Sequence, residues 1–322
     1  MTTQEIIAQA CLPELLQSSR IHKVNSYFNH ENVYMKRDDE LGLGIGGSKA
    51  RKFASLLFKI CQQNPELVIV EGSLNSNNVL GITALLNSYG FNIALALPKS
   101  HSPNIGNALW VSQLVEKNQI IEIGSIQEET REYYEGSFGV ENIFIIREGA
   151  CQIESIPGLL TLGQEILDFE QSDKIEFDNL FIDSGTGITA ISTYIAMELH
   201  NRLPNYFITL IAGSSDYFFD TAESMIHRFN RLYDQNISLK MDKFTFLLSP
   251  TAKSFGSINT SIKKEWKQIM HKLGFPIDLT YTAKHLYTIK NNLSNLDNLS
   301  KNLVVNCGSW LSARNHEHFF TE

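Results

Sequence analysis

Short apolar runs alternate with helix-period segments over most of this 322-residue chain. The runs Val33–Met35, Leu67–Val70, Ile93–Leu97, Ile120–Ile123, Ile143–Ile146, Leu180–Ile182, Phe207–Ala212, Phe244–Leu248 and Leu303–Val305 read as strands. Between them lie the groups Phe53/Leu56/Leu57/Ile60, Val79/Leu80/Ile82/Leu86, Leu109/Val111/Leu114 and Leu159/Leu162/Ile166, each marking one buried helix face. A strand that is apolar at every position needs cover on both sides, and crossover helices between parallel strands supply it. The chain is therefore predicted to be α/β, with parallel sheets covered on both faces. Its length suits one large or two ordinary domains. No linker, repeat or low-complexity tract separates two halves, so the chain is expected to cross between domains more than once.

Composition narrows the function classes. Hydrophobic residues make up 43% and charged residues 19%, the balance of a globular protein. A net charge of −8 argues against nucleic acid or an anionic membrane as the partner. Cys11, Cys61, Cys151 and Cys307 lie far apart with no CxxC spacing. Neither a metal site nor a disulfide framework is expected, and a reducing, cytoplasmic setting fits. Met1–Glu5 lacks a basic segment before an apolar one, so no signal peptide is expected. No apolar run approaches the ~20 residues of a membrane helix.

Three segments carry chemistry. In the first, Gly42-Leu43-Gly44-Ile45-Gly46-Gly47-Ser48-Lys49-Ala50-Arg51-Lys52 follows the strand at 33–35 and the charged turn Lys36–Glu40. Its GxGxxG spacing lacks the immediately preceding strand of a dinucleotide site, and its Gly-Ser-Lys order is not that of a phosphate loop. Lys49 reads either as a first-turn surface lysine or as an amine in a cationic setting. Arg51 and Lys52 would lower its pKa there, as a Schiff-base lysine requires. In the second, Ser73–Asn78 opens a helix, whose unpaired N–H groups suit a carboxylate or simply take an N-cap. In the third, Asp183-Ser184-Gly185-Thr186-Gly187-Ile188-Thr189 joins a strand to a helix and forms a cup of donors sized for a phosphate.

Lys36-Arg37-Asp38-Asp39 followed by Gly46–Lys52 resembles the "KRDD…GGNKxRK" signature of the D-cysteine desulfhydrases and 1-aminocyclopropane-1-carboxylate (ACC) deaminases. These are pyridoxal 5'-phosphate enzymes of fold type II, similar to the tryptophan synthase β-chain, with the cofactor in a cleft between two α/β domains. The resemblance implies a large domain of residues 1–62 and 163–322 and a small domain of residues 63–162. It makes Lys49 the covalent cofactor lysine. Ser76-Asn77-Asn78 resembles "QSN(H/Q)", implying Ser76 as catalytic, Asn77 at the cofactor's ring hydroxyl, and all three near the substrate. Gly185, Thr186, Gly187, Ile188 and Thr189 match the phosphate cup, with Ile188 in place of a glycine. Tyr281-Thr282 resembles "VY(T/E)", implying Tyr281 against the pyridine ring and Thr282 at its nitrogen. Gly106-Asn107 matches a "GNxLL" helix start, and Gly149 with Pro157-Gly158 falls where a "GGSNxxGxxGY" loop is expected. A homodimer is common in the family.

The departures cluster on the substrate side. Ser48 replaces an asparagine, Phe255 a tyrosine thought to take part in catalysis, and Asn306-Cys307-Gly308-Ser309 replaces "HTGG". The Gly149–Gln152 loop has lost its serine and asparagine. Cys151 and Cys307 are expected as small buried hydrophobes. ACC deaminases carry glutamate at the position of Thr282 and D-cysteine desulfhydrases threonine. The expected reaction is thus deamination of a small β-substituted amino acid to a 2-oxo acid and ammonia. ACC deamination, β-replacement, and a cofactor-binding relative acting through protein contacts are the alternatives.

Overall fold

The computed structural model describes residues 1–24, 26–42, 46–99, 106–124, 130–254, 256–293 and 297–309. Their strands are β1 (Ile21–Lys23), β2 (Val33–Lys36), β3 (Leu67–Glu71), β4 (Ile93–Pro98), β5 (Ile120–Ile123), β6 (Ile143–Ile146), β7 (Asn179–Ser184), β8 (Asn205–Leu210), β9 (Phe244–Leu248) and β10 (Asn302–Val305). Their helices are α1 (Thr3–Ala10), α2 (Lys49–Gln63), α3 (Asn77–Ser88), α4 (Asn107–Leu114), α5 (Arg131–Phe138), α6 (Ile156–Asp173), α7 (Ile188–Leu199), α8 (Ser215–Tyr233), α9 (Thr260–Leu273) and α10 (Thr282–Asn292).

Two sheets form. One has six strands in the order β1-β2-β10-β7-β8-β9, the other four in the order β5-β4-β3-β6. Every pairing is parallel except β1 with β2, among the described residues. The antiparallel edge strand β1 escapes the sequence reading because Ile21-His22-Lys23 holds a single apolar residue.

Alternation along the strands sets the two faces. In β10, Val304 stands opposite Met35 and Phe181, and all three are fully buried in one cluster with Ala283, Leu286 and Ile289 of α10. Its neighbours Leu303 and Val305 join the other cluster, with Leu180, Ile182 and the inward faces of α2, α6 and α7. Each such side chain contributes roughly 1.5–3 kcal/mol of burial. The helix reading at 109–114 needs one correction. Leu109 is 46% and Trp110 49% exposed, while Ala108 and Val111 face inward. The strand expected over 207–212 ends at Leu210, because the N–H groups of Ile211 and Ala212 turn to the Ser184 carbonyl.

In the parallel sheets the segments after β2, β3, β7 and β10 leave from the carboxyl ends of their strands, the edge where open α/β sheets place ligands. They are the segments singled out above.

Candidate active site

The helix bearing Lys49 is fixed from below. Arg51 is buried and makes a two-pronged pair with Asp38, Nη2 to Oδ1 at 2.7 Å and Nε to Oδ2 at 2.8 Å. It also donates to Glu165 of α6, which takes Lys36 of β2 as well. Ser19 donates to Asp38 at 2.7 Å. Burial works to raise the Asp38 pKa, and the Arg51 charge and hydrogen bonds reverse that to a net lowering. The "KRDD" and "KxRK" residues thus tie β2, α2 and α6 into one rigid block. Arg37 points elsewhere, pairing with Asp39 and lying 3.4 Å over the Phe275 ring. The cationic setting expected of Arg51 is therefore neutralised.

Glycine is required where the loop meets the segment after β10. Gly47 has φ +78°, and a Cβ there would come within 2.2 Å of the Cys307 carbonyl oxygen. Ser48 N–H donates to that same oxygen at 3.1 Å. Lys49 begins α2, half-buried, with Nζ 5.9 Å from the centroid of the Tyr281 ring. Gly185 meets the same ring, since a Cβ there would lie 3.6 Å from Tyr281 Cε1. Asp278 fixes this corner, accepting from Tyr281 N–H at 2.6 Å and Thr282 N–H at 3.0 Å. Thr282 Oγ1 donates to Asn306 Oδ1 at 3.0 Å.

At the cup, Gly187 has φ +83° and starts α7 with no side-chain cap, leaving first-turn N–H groups for an anion. The isoleucine in place of a glycine is explained by direction: Ile188 is 2% exposed and packs into the core. Lys52 closes the underside. It is buried and donates to the Gly149 carbonyl, and Gly149 (φ +62°) sits so close to Thr186 that a Cβ would lie 2.7 Å from its Cγ2. Burial first, and the Lys49 charge second, bring the Lys52 pKa down to about 7. The sequence reading saw Lys52 as a neighbouring charge; an apolar setting around it could not be read from spacing.

Ser76 caps α3, accepting from the N–H groups of Asn78 (3.1 Å) and Val79 (3.4 Å), and its hydroxyl proton is left to donate. Asn107, 1% exposed, donates from Nδ2 to the Asn75 carbonyl at 3.1 Å and to Asn77 Oδ1 at 2.6 Å. With its oxygen so held, Asn77 turns its N–H₂ away from Asn107. Asn78 is 3% exposed, and neither amide atom has a partner among the described residues. Phe255, Leu43, Gly44 and Ile45 lie outside the described residues. Cys151 is half-buried and Cys307 buried, and all four cysteines are free thiols.

No family model matches the chain. A bifunctional D-cysteine desulfhydrase/ACC deaminase, mitochondrial, of Arabidopsis thaliana is 22% identical over 285 residues, 83% of this chain and 68% of that protein. Among solved structures, an ACC deaminase homologue superposes with a TM-score of 0.81 at 17% identity, covering 99% of this chain and 98% of the other. The chain is similar to D-cysteine desulfhydrases and ACC deaminases. A pyridoxal 5'-phosphate-dependent aspartate racemase has the same fold, with a TM-score of 0.61 at 13% identity over 96% and 95% of the two chains. The architecture is that of fold type II.

Proposed function

We propose that this chain is a pyridoxal-phosphate-dependent lyase that deaminates a small β-substituted amino acid, in the manner of D-cysteine desulfhydrase. One observation carries the reading. Lys49 and Gly185, far apart in sequence, converge on the Tyr281 ring, the amine 5.9 Å from the ring centroid and the glycine against the ring edge. A flat cofactor lying on Tyr281 and bonded to Lys49 suits that geometry. The Asn78 amide, unpartnered among the described residues, and the start of α7, without a side-chain cap, are polar groups that a substrate carboxylate and a phosphate would complete.

When bound, pyridoxal phosphate supplies an electron sink for the amino acid's α-carbon. The Gly185–Thr189 cup and Lys52 would hold its phosphate, Tyr281 its ring face, Thr282 its nitrogen edge and Asn77 its ring hydroxyl. Lys49, the amine nearest that ring, would carry a proton at the α-carbon. Ser76 offers its remaining proton nearby, and Asn78 with the start of α3 orients the carboxylate. Domain division is part of this proposal: a unit of residues 63–162 and one of residues 1–62 and 163–322. It is supported by each sheet drawing its strands from one of the two. α6 runs through residue 162 and packs on α1, α2 and α7.

Purified protein is expected to be yellow, and borohydride to bleach it while fixing the cofactor to Lys49. Lys49→Ala should abolish both. A colourless protein that takes up no added cofactor would defeat the proposal. A panel of D- and L-β-substituted amino acids with ACC, followed by 2-oxo acid release, names the substrate. Release from ACC alone would overturn the weight placed on Thr282.

A further inference from the structure

Asn306 is the first residue past β10, and its backbone is clamped. Its N–H donates to the Lys36 carbonyl at 2.9 Å, and its carbonyl accepts from Asp39 N–H at 3.1 Å. The next residue, Cys307, gives its carbonyl to Ser48 N–H at 3.1 Å, directly before Lys49. The Asn306 side chain reaches α10 instead, where Oδ1 accepts from Thr282 Oγ1 at 3.0 Å. Thr282 adjoins Tyr281, whose ring centroid lies 5.9 Å from Lys49 Nζ. Hydrogen bonds thus carry the Asn306–Thr282 pair into the same corner as the amine.

The pair is left with an imbalance. Thr282 is 2% and Asn306 1% exposed, and Asn306 Nδ2 has no partner among the described residues. A buried donor without an acceptor bears its full desolvation cost. Shape does not compel this. The two ends of a carboxamide are nearly alike in size, so hydrogen-bond partners choose between them. Turned over, the amide donates from Nδ2 to Thr282 Oγ1, and the hydroxyl proton is released to a third group, which must be an acceptor. Asp278 already accepts from Tyr281 N–H and Thr282 N–H. The backbone closes tightly on the hydroxyl from one side, since a Cβ on Gly308 would lie 2.3 Å from Thr282 Oγ1.

We propose that Asn306 is the positioning residue of the ring-nitrogen edge: its amide donates to Thr282, and the Thr282 hydroxyl then donates to the cofactor's ring nitrogen and holds it as a neutral pyridine. This rests on the cofactor reading above. A protonated nitrogen would instead need Thr282 to accept. That leaves Nδ2 without a partner and sets a cation against two neutral side chains. A neutral ring is the weaker electron sink. The site then favours a substrate whose β-group departs as the α-proton is taken, over reactions that need a long-lived carbanion.

The experiment is ¹⁵N NMR of the full chain reconstituted with pyridoxal phosphate labelled at the ring nitrogen, at pH 8. Borohydride fixation on a parallel sample first reports whether the cofactor is held. The parent is expected to show a hydrogen-bonded neutral pyridine resonance. Asn306→Asp offers Thr282 only an acceptor, so the hydroxyl proton turns to the carboxylate and the resonance is expected to move to the pyridinium position. Asn306→Leu, similar in shape, leaves the hydroxyl proton free and is expected to keep the neutral resonance. Thr282→Val added to Asn306→Asp is expected to restore it. A pyridinium resonance in the parent overturns the proposal without need of any variant. One ring state shared by the two folded single variants would leave Asn306 a structural role and overturns it as well. So does a pyridinium resonance that persists in the double variant, because the new carboxylate would then act by its charge and not through Thr282. A parent that takes up no cofactor overturns the functional reading itself, and this inference with it.

Discussion

The two walls of the proposed site are built differently. On the cofactor wall, close contacts and ion pairs over-determine each position: Gly47 against the Cys307 carbonyl, Arg51 between Asp38 and Glu165, Asp278 under both Tyr281 and Thr282. On the substrate wall, at the start of α3, Ser76 holds a helix end and Asn78 keeps a buried amide with no partner among the described residues. The departures from the family pattern that fall on described residues do not follow this division: Ser48 and Asn306–Ser309 meet Gly47 and Thr282, and the Gly149 loop meets Thr186 and Lys52. A wall that must hold one invariant ligand can be rigid and self-satisfied. A wall that must accept a variable one keeps polar groups in reserve, at a cost in stability.

Substitutions can break or sharpen this contrast. Arg51→Ala leaves two carboxylates facing each other in the interior and is expected to cost about 3–5 kcal/mol in a denaturant titration. A loss under 1 kcal/mol would show that the block under Lys49 is not what fixes it.

Lys52→Met comes next, and its sign depends on pH. The Lys52 pKa in the fold, about 7, lies below the ordinary value of 10.5. Between those values the unfolded chain binds the proton and the folded one does not, so stability of the cofactor-free protein rises with pH across that window. Lys52→Met should therefore stabilise that protein at pH 7, by about 4 kcal/mol at most. The gain should shrink toward pH 10. Inorganic phosphate should stabilise the parent and not the variant. Thermal melts with and without phosphate check this, and a gain that stays constant with pH would remove the assigned cause.

Ser76→Ala removes a cap and should cost about 1 kcal/mol, with a much larger loss of turnover than of stability. Equal proportional losses would reduce Ser76 to its capping role. Smallest is Asn78→Ala. Deleting an unpartnered amide should leave stability within about 0.5 kcal/mol of the parent, or raise it, while KM rises. A clear destabilisation would mean that the amide is satisfied after all, and the contrast between the walls would weaken.

The strands were legible wherever the apolar run was unbroken, as in Ile143–Ile146, because burial on both faces leaves that mark. β1 left none. The glycines at 47 and 187 could be seen as turns, yet the Cys307 carbonyl that compels the first of them comes from the end of a strand about 260 residues on in sequence that the fold sets beside β2. Lys52 and Asn107 share this blindness. Each is a polar residue whose meaning depends on a partner brought by the fold, Gly149 and Asn77 respectively. Local pattern carries faces and turns, and does not carry which side chains meet across a cleft.

The strand order has a consequence for how the molecule comes into being. β10, the last strand to leave the ribosome among those described, wedges between β2 and β7 and hydrogen-bonds to both. The four-stranded sheet draws only on residues 67–146 and can assemble while synthesis continues, its contacts being short-range in sequence. The larger sheet must wait with an open seam at its centre. Until that seam closes, Gly47 has no carbonyl to rest on, and the Lys49 amine near it has no floor.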